Sequence, residues 1–254
     1  VASQLRNVAR SRWLLGYTLL LLVATVLLIR FGGSGARALL SLVNLVLLLL
    51  PLVSVVFGTL YVYNAREFIE LLLAQPVGRG ATYFGLFGGL ALPLIGALLV
   101  GVGGPLAVPA EPAVVRPLVM LLAIGVLLTL VFSAFALCVA VFFEERSRGF
   151  GAALLVWLGC TVVYDGLILL VLTVFRDYPL ETPVLVLSFL NPVDLGRIVL
   201  LLTFDVSVLM GYTGTIFARF FGSAGGIVAA FLMLLVCALV PLLVGLRWFR
   251  RKDF

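Results

Sequence analysis

The sequence predicts an all-α integral membrane protein with six transmembrane helices, and three observations predict it. Hydrophobic residues fill 64% of the 254 positions and charged residues 11%, at a mean hydropathy of +1.30; soluble domains run at roughly 45–50% apolar and about 25% charged. Several apolar runs reach the ~20 residues that a helix needs to cross a hydrocarbon core about 30 Å thick. The polar connections between these runs are too short to form a soluble domain. In lipid each backbone N–H and C=O must be paired within its own segment, so the runs are read as helices.

Taken in order, the spans are placed at Trp13 to Ile29, Leu39 to Tyr63, Tyr83 to Ala107, Pro117 to Phe143, Gly151 to Phe175 and Gly226 to Leu246, in a single domain over 1–254. The first is long and lacks a small-residue cleavage site, so it is read as a span and not as a removable signal peptide. Before it, Val1, Leu5, Val8 and Arg12 share one face of a helix expected to lie in the membrane interface. Ala65 to Gln75 is read as a helix of about three turns, with Arg66 and Glu70 at i,i+4, Glu67 beside them and Phe68 and Leu72 on one stripe. Pro76 stops it, within the turn Gln75-Pro76-Val77-Gly78-Arg79. Glu144-Glu145-Arg146-Ser147-Arg148 forms a second, tighter corner.

Residues 176–225 are neither plainly polar nor plainly spanning. Leu195 to Phe217 is long enough for a seventh span, but it holds Arg197, Asp205 and the Gly211/Gly214 pair, and Asn191-Pro192 before it reads as a turn. Short re-entrant or interfacial helices between spans five and six are therefore expected, because non-helical backbone at that depth persists only when covered by protein or lining a wet cavity. Charge counting supports six spans. Arg6, Arg10, Arg12, Arg66, Arg79, Arg146, Arg148, Arg247, Arg250, Arg251 and Lys252 fall on one side, eleven in all, against six on the other: Arg30, Arg37, Arg116, Arg176, Arg197 and Arg219. The positive-inside rule then puts both termini in the cytoplasm, and the net charge of +6 reads as a topology signal, with no nucleic-acid partner needed.

What is missing excludes several chemistries. There is no histidine, the usual general base and commonest metal ligand, and the sole lysine is Lys252, so no GxxxxGK[ST] phosphate loop can be written. The chain is expected to have no catalytic residue, no metal site and no cofactor of its own. Cys138, Cys160 and Cys237 stand singly in three spans and are read as small core residues. Met210 lies beside Gly211-Tyr212-Thr213-Gly214 in the outer segment. Asp165 is the one acidic residue well inside a span, where a charge costs about 2.5–3.5 kcal/mol on insertion scales. A packed carboxyl bonded to a neighbouring helix, for instance to Asn44, is preferred to a proton-carrying role. Gly85 and Gly89 form a GxxxG in the third span, with Gly88 and Gly96 nearby, suited to close helix packing within the chain or across a dimer.

The interfacial amino-terminal helix, the second span followed by a short helix ending in LLLAQPVGRG, the short fourth-to-fifth corner, the long outer segment and the ending RWFRRKDF together resemble the type-2 ABC transporter permeases. Within that class the strings NPVDLGRIVLLL and MGYTGTIFARFFG look like the NosY-type permeases of the nitrous oxide reductase maturation system. The resemblance implies a bacterial inner-membrane homodimer standing on two cytoplasmic ABC ATPase subunits, which hold ATP and magnesium, with a periplasmic copper-handling protein on the outer side. It places the ATPase contact at Arg66, Glu67, Phe68, Glu70, Gln75, Pro76 and Arg79, the helix among them acting as a cytoplasmic coupling helix. It places the periplasmic contact at Asn191, Asp194, Arg197, Met210, Tyr212 and Arg219. The rival functions are an exporter permease for lipid, polysaccharide or drug, a proton-coupled secondary transporter that would depend on Asp165, and a non-transporting membrane scaffold.

Overall fold

A computed structural model describes residues 12–31, 35–73, 78–107, 112–175, 181–203 and 224–251. Among the described residues six helical stretches are each long and apolar enough to cross a membrane: Trp13–Phe31, Leu40–Asn64, Arg79–Leu106, Val115–Phe142, Arg146–Val174 and Gly225–Arg251. Each overlaps one expected span. They are built from α1 (Arg12–Phe31), α2 (Gly35–Asn64), α4 (Arg79–Leu98) continued through a π segment Leu99–Gly103 into α5 (Gly104–Ala107), α6 (Pro112–Phe142), α7 (Arg146–Leu158) continued through a second π segment Gly159–Val163 into α8 (Tyr164–Val174), and α11 (Ala224–Arg251). The short helix α3 (Arg66–Leu73) separates spans two and three, and α9 (Glu181–Leu190) and α10 (Pro192–Thr203) lie between spans five and six. The described residues are helical or in short turns, with no strand among them.

The fourth span is the centre of the bundle. Of its apolar 18-residue stretch 61% is buried, against 17% in the first span and 6% in the fifth. Leu121, Ile124, Leu128 and Phe132 of α6 meet Leu42 and Leu50 of α2, Leu98 of α4 and Leu234 of α11 in one apolar cluster. Apolar burial gives helices little reason to associate in lipid, so close approach by small residues matters more. At Gly58 of α2 an added Cβ would overlap that of Ala136 on α6, which is how these two helices come so close. Some buried hydroxyls bond along their own helices: Thr129 donates to the Gly125 carbonyl at 2.8 Å and Ser188 to that of Val184 at 2.9 Å. Pro51, Pro93, Pro117 and Pro241 lie within helices, as membrane helices tolerate when neighbours re-satisfy the freed carbonyls.

The Asn191-Pro192 turn is present. Asn191 stands outside both helices, Pro192 opens α10 as a first-turn proline, and α9 and α10 meet at 112°. A bend past the perpendicular turns the chain back, so the pair forms the expected re-entrant element. The interfacial helix expected over Val1 to Arg12 lies outside the described residues but for Arg12, which opens α1, and so does the distal part of the Leu195 to Phe217 alternative.

Candidate functional site

Two polar constellations stand out, one at α3 and one at the re-entrant pair. At the first, α3 is described over Arg66–Leu73, within the helix expected over Ala65 to Gln75, and Gln75 and Pro76 lie outside the described residues. Its sides are clearly divided. Ile69 is buried at 1% exposure and anchors the helix on the bundle, while Glu67, Phe68, Glu70 and Leu71 face outward.

The base of α3 is tied to the end of α6. The last carbonyls of a helix lack intrahelical donors and carry partial negative charge. The Phe143 carbonyl, just past α6, receives the Tyr63 hydroxyl at 2.9 Å and the Arg66 guanidinium at 3.3 Å. Arg66 also lies over the Tyr63 ring, 5.2 Å from its centroid, a contact of about 0.5–1 kcal/mol at exposed sites. Next to this knot α7 begins, and a side chain at Gly149 would collide with the Tyr63 hydroxyl. Glu145 accepts from Arg148 Nε at 2.6 Å, which closes the corner the sequence predicts. Arg79 serves the neighbouring helix end: it donates to the Arg250 carbonyl at 2.7 Å, near the end of α11. Phe249 packs on Tyr83 at 5.4 Å and Trp248 on Phe142 at 4.4 Å, so spans three, four and six meet beside α3.

Of the residues expected to meet an ATPase, Glu67, Phe68 and Glu70 lie on the outward face of α3, Arg66 is turned into the Phe143 knot, and Arg79 caps α11. Leu71, at 68% exposure more open than Phe68, was not among them. The i,i+3 spacing of Phe68 and Leu71 was the signal for it. Tyr63 and Phe143 had no local signal, since they meet only through an eighty-residue separation.

At the second constellation Asp165, at the start of α8, accepts from Arg197 of α10 at 2.7 Å. This corrects the expected partner: Asn44 is exposed on α2, and the carboxylate takes an ion pair instead because the re-entrant helix brings a guanidinium to it. Arg197 also reaches Asp194 at 3.3 Å. Asp194 receives Asn191 Nδ2 at 3.1 Å, and the same amide donates to the Cys160 carbonyl at 2.7 Å in the second π segment. Asn191 Oδ1 accepts the Val193 N–H at 3.1 Å and so caps α10. The Tyr164 hydroxyl completes the set by donating to the Leu187 carbonyl of α9 at 2.6 Å.

Asn191 and Asp194 are buried, at 2% and 5% exposure, and their polar atoms point into the chain. Arg197 is one-third exposed, while Met210, Tyr212 and Arg219 lie outside the described residues. Cys138, Cys160 and Cys237 are half-buried free thiols in α6, the second π segment and α11, and among the described residues no three metal-ligating side chains converge.

On the third span Gly89 is buried and Gly85 half-buried, whereas added methyls at Gly88 and Gly96 would meet nothing within 4 Å. Gly88 lies on the open side of α4 with Phe84 and Leu92, while Gly96 borders a cavity it shares with Leu14 and Thr18 of α1.

Residues 36–254 match the ABC-2 family of transporter proteins. The chain is 31% identical over 228 residues to the probable ABC transporter permease protein NosY of Pseudomonas aeruginosa, covering 82% of each chain. It is 32% identical over 223 residues to the protein of the same description from Stutzerimonas stutzeri, covering 80% of each. A bundle of six apolar spans with an outward-facing helix between the second and third, matched over these lengths, identifies the chain as a NosY-like membrane permease subunit belonging to the ABC-2 transporter family.

Proposed function

We propose that this chain is the non-catalytic membrane half of an ATP-driven machine in which α3 receives the motion of a cytoplasmic ABC ATPase. The observation that carries the reading is the two-sided build of α3: Ile69 is buried in the bundle and Glu67, Phe68, Glu70 and Leu71 stand outward. An apolar pair rimmed by carboxylates suits a groove on a second protein, with the aromatic as anchor and the acids for orientation. The knot of Tyr63 and Arg66 on the Phe143 carbonyl then passes a push on α3 to the start of the fifth span, and Arg79 passes it to the end of the sixth. ATP and magnesium belong to the ATPase, one copy for each of two copies of this chain.

The open side of α4 around Gly88 favours a homodimer, since a small residue lets helices of two copies approach closely. The machine sits in a bacterial inner membrane with both termini cytoplasmic, in keeping with the excess of arginines on the α3 side. Its work is delivered to a periplasmic copper-handling protein that serves nitrous oxide reductase maturation, with the copper held by that partner. Docking of the partner falls to Arg197 and the residues beyond α10, among them Met210, Tyr212 and Arg219, because Asn191 and Asp194 are engaged inside the chain.

The test is the doubly substituted Phe68→Ala/Glu70→Ala chain, assembled with its ATPase in lipid. ATP turnover at least several-fold lower, or turnover no longer linked to movement of the outer face, is expected. Wild-type turnover together with wild-type movement removes α3 from this role.

A further inference from the structure

The outer half of the fifth span is joined to the molecule in an unusual way. No residue of α8 is buried, and Leu167, Leu169, Leu170 and Val174 are exposed. Leu172 packs against the core only partly buried. In hydrocarbon an exposed leucine gains little by leaving lipid for another helix, so apolar contact does little to decide where α8 lies. Polar ties do. Tyr164 donates to the Leu187 carbonyl at 2.6 Å, Arg197 reaches Asp165 at 2.7 Å, and Asn191 donates to the Cys160 carbonyl at 2.7 Å. All three run from the fifth span to the re-entrant pair.

The third tie lies on the π segment Gly159–Val163, where the span changes from α7 to α8. A π turn interrupts the regular i→i−4 ladder and is a recognised place for a helix to change direction. The first two ties lie just beyond it, on the opening turn of α8. Below the segment, α7 is held otherwise, by packing on α2 and by Trp157 Nε1, which donates to the Leu48 carbonyl at 3.4 Å.

The charges at this seam are arranged for exchange. Arg197 stands between two carboxylates, Asp165 on α8 at 2.7 Å and Asp194 on its own helix at 3.3 Å. Losing one partner of a buried pair is costly because it strands a charge. Here the guanidinium keeps Asp194 when Asp165 departs, and Asp194 also keeps Asn191 at 3.1 Å. Asp165 and Arg197 are each about one-third exposed, so the pair lies at the lip of the seam. Charges at such depth face protein or water.

We propose that α8 is a hinged arm, pivoting at Gly159–Val163 and strapped to the re-entrant pair by Tyr164 and Asp165, and that release of the strap opens a polar-lipped seam between spans five and six. The arm is a property of this end of the molecule, independent of what α3 binds.

The test reads distances by spin-label spectroscopy in the full chain in lipid nanodiscs, with Cys138, Cys160 and Cys237 replaced by alanine and labelled chains diluted with unlabelled ones. One pair, Val174→Cys and Val228→Cys, spans the outer end of the arm and the sixth span; both sites are exposed. A control pair, Leu48→Cys and Leu155→Cys, lies on α2 and α7 below the pivot. Tyr164→Phe with Asp165→Leu removes both strap bonds, since leucine offers the guanidinium no acceptor, and leaves Arg197, Asp194 and Asn191 in place. A swing of about 20° by a helix of α8's length, roughly 16 Å, moves its far end about 5 Å. The outer distance is expected to shift by that order and broaden, with the control distance unchanged. An unchanged outer distance, or an equal shift in the control pair, overturns the hinge. Should the double variant fail to accumulate, Tyr164→Phe alone must broaden the outer distance without moving the control, and a wild-type distribution there overturns it as well.

Discussion

The fourth and fifth spans are nearly alike in hydropathy, 2.7 against 2.2, yet 61% of the fourth is buried and 6% of the fifth. The difference shows that in a bilayer the solvent for an apolar helix is other helices or lipid almost indifferently. What separates the two spans is their surface detail. The fourth carries Gly125, Ala134, Ala136 and Ala140 among its buried positions, and neighbouring backbones come close to it. The fifth presents Leu155, Leu167, Leu169 and Leu170 outward, and its outer half, α8, keeps its contacts largely through a few polar atoms.

The comparison can be broken most severely at Gly58. Replacing it by leucine drives a branched side chain into Ala136 on the fourth span, and overpacking of this kind costs about 1–3 kcal/mol, occasionally more. The folded yield in detergent should fall sharply, and a variant that unfolds thermally like the wild type would show that close contact does not define the central span. A somewhat smaller effect is expected at the tie of the fifth span. Arg197→Leu leaves the buried Asp194 facing Asn191 and a second carboxyl, Asp165, with no cation between them, for a loss of about 2–3 kcal/mol once partial exposure of the guanidinium is allowed for. Chemical denaturation in detergent checks this, and restoration of stability by adding Asp194→Asn would sharpen it by identifying the stranded carboxylate as the cause. The smallest change belongs to Leu169→Ala, where the leucine is 63% exposed and only lipid contact is lost. Stability within about 0.5 kcal/mol of wild type is expected there; a loss of a core-like size would mean that another protein surface covers this face.

Much of the fold was legible in the residues. The six spans, the corner at Glu144 to Arg148, the Asn191-Pro192 turn and the helix after Asn64 each follow from local composition or from what proline permits. The site was legible only in part. Glu67, Phe68 and Glu70 were expected at the ATPase contact, and they share the outward side of α3. Arg66 and Arg79 were expected at the ATPase contact, and each also donates to a helix-end carbonyl, an attraction that depends on where α6 and α11 stop. Asn191 and Asp194 were read as an outer surface and are turned inward, because the bend of 112° folds their side chains against the π segment and Arg197.

By itself the sequence determined that this chain lives in a bilayer, where it crosses and where it turns, because transfer into hydrocarbon and the pairing of backbone groups are settled within each segment. Which span is central, which carboxylate meets which arginine and which face of α3 remains open were decided only by the tertiary structure. Those outcomes join residues far apart in the chain, Tyr63 to Phe143 and Asp165 to Arg197, whose meeting no local pattern records. Lipid, being as apolar as the helices it surrounds, leaves the choice to close packing and a small number of polar contacts.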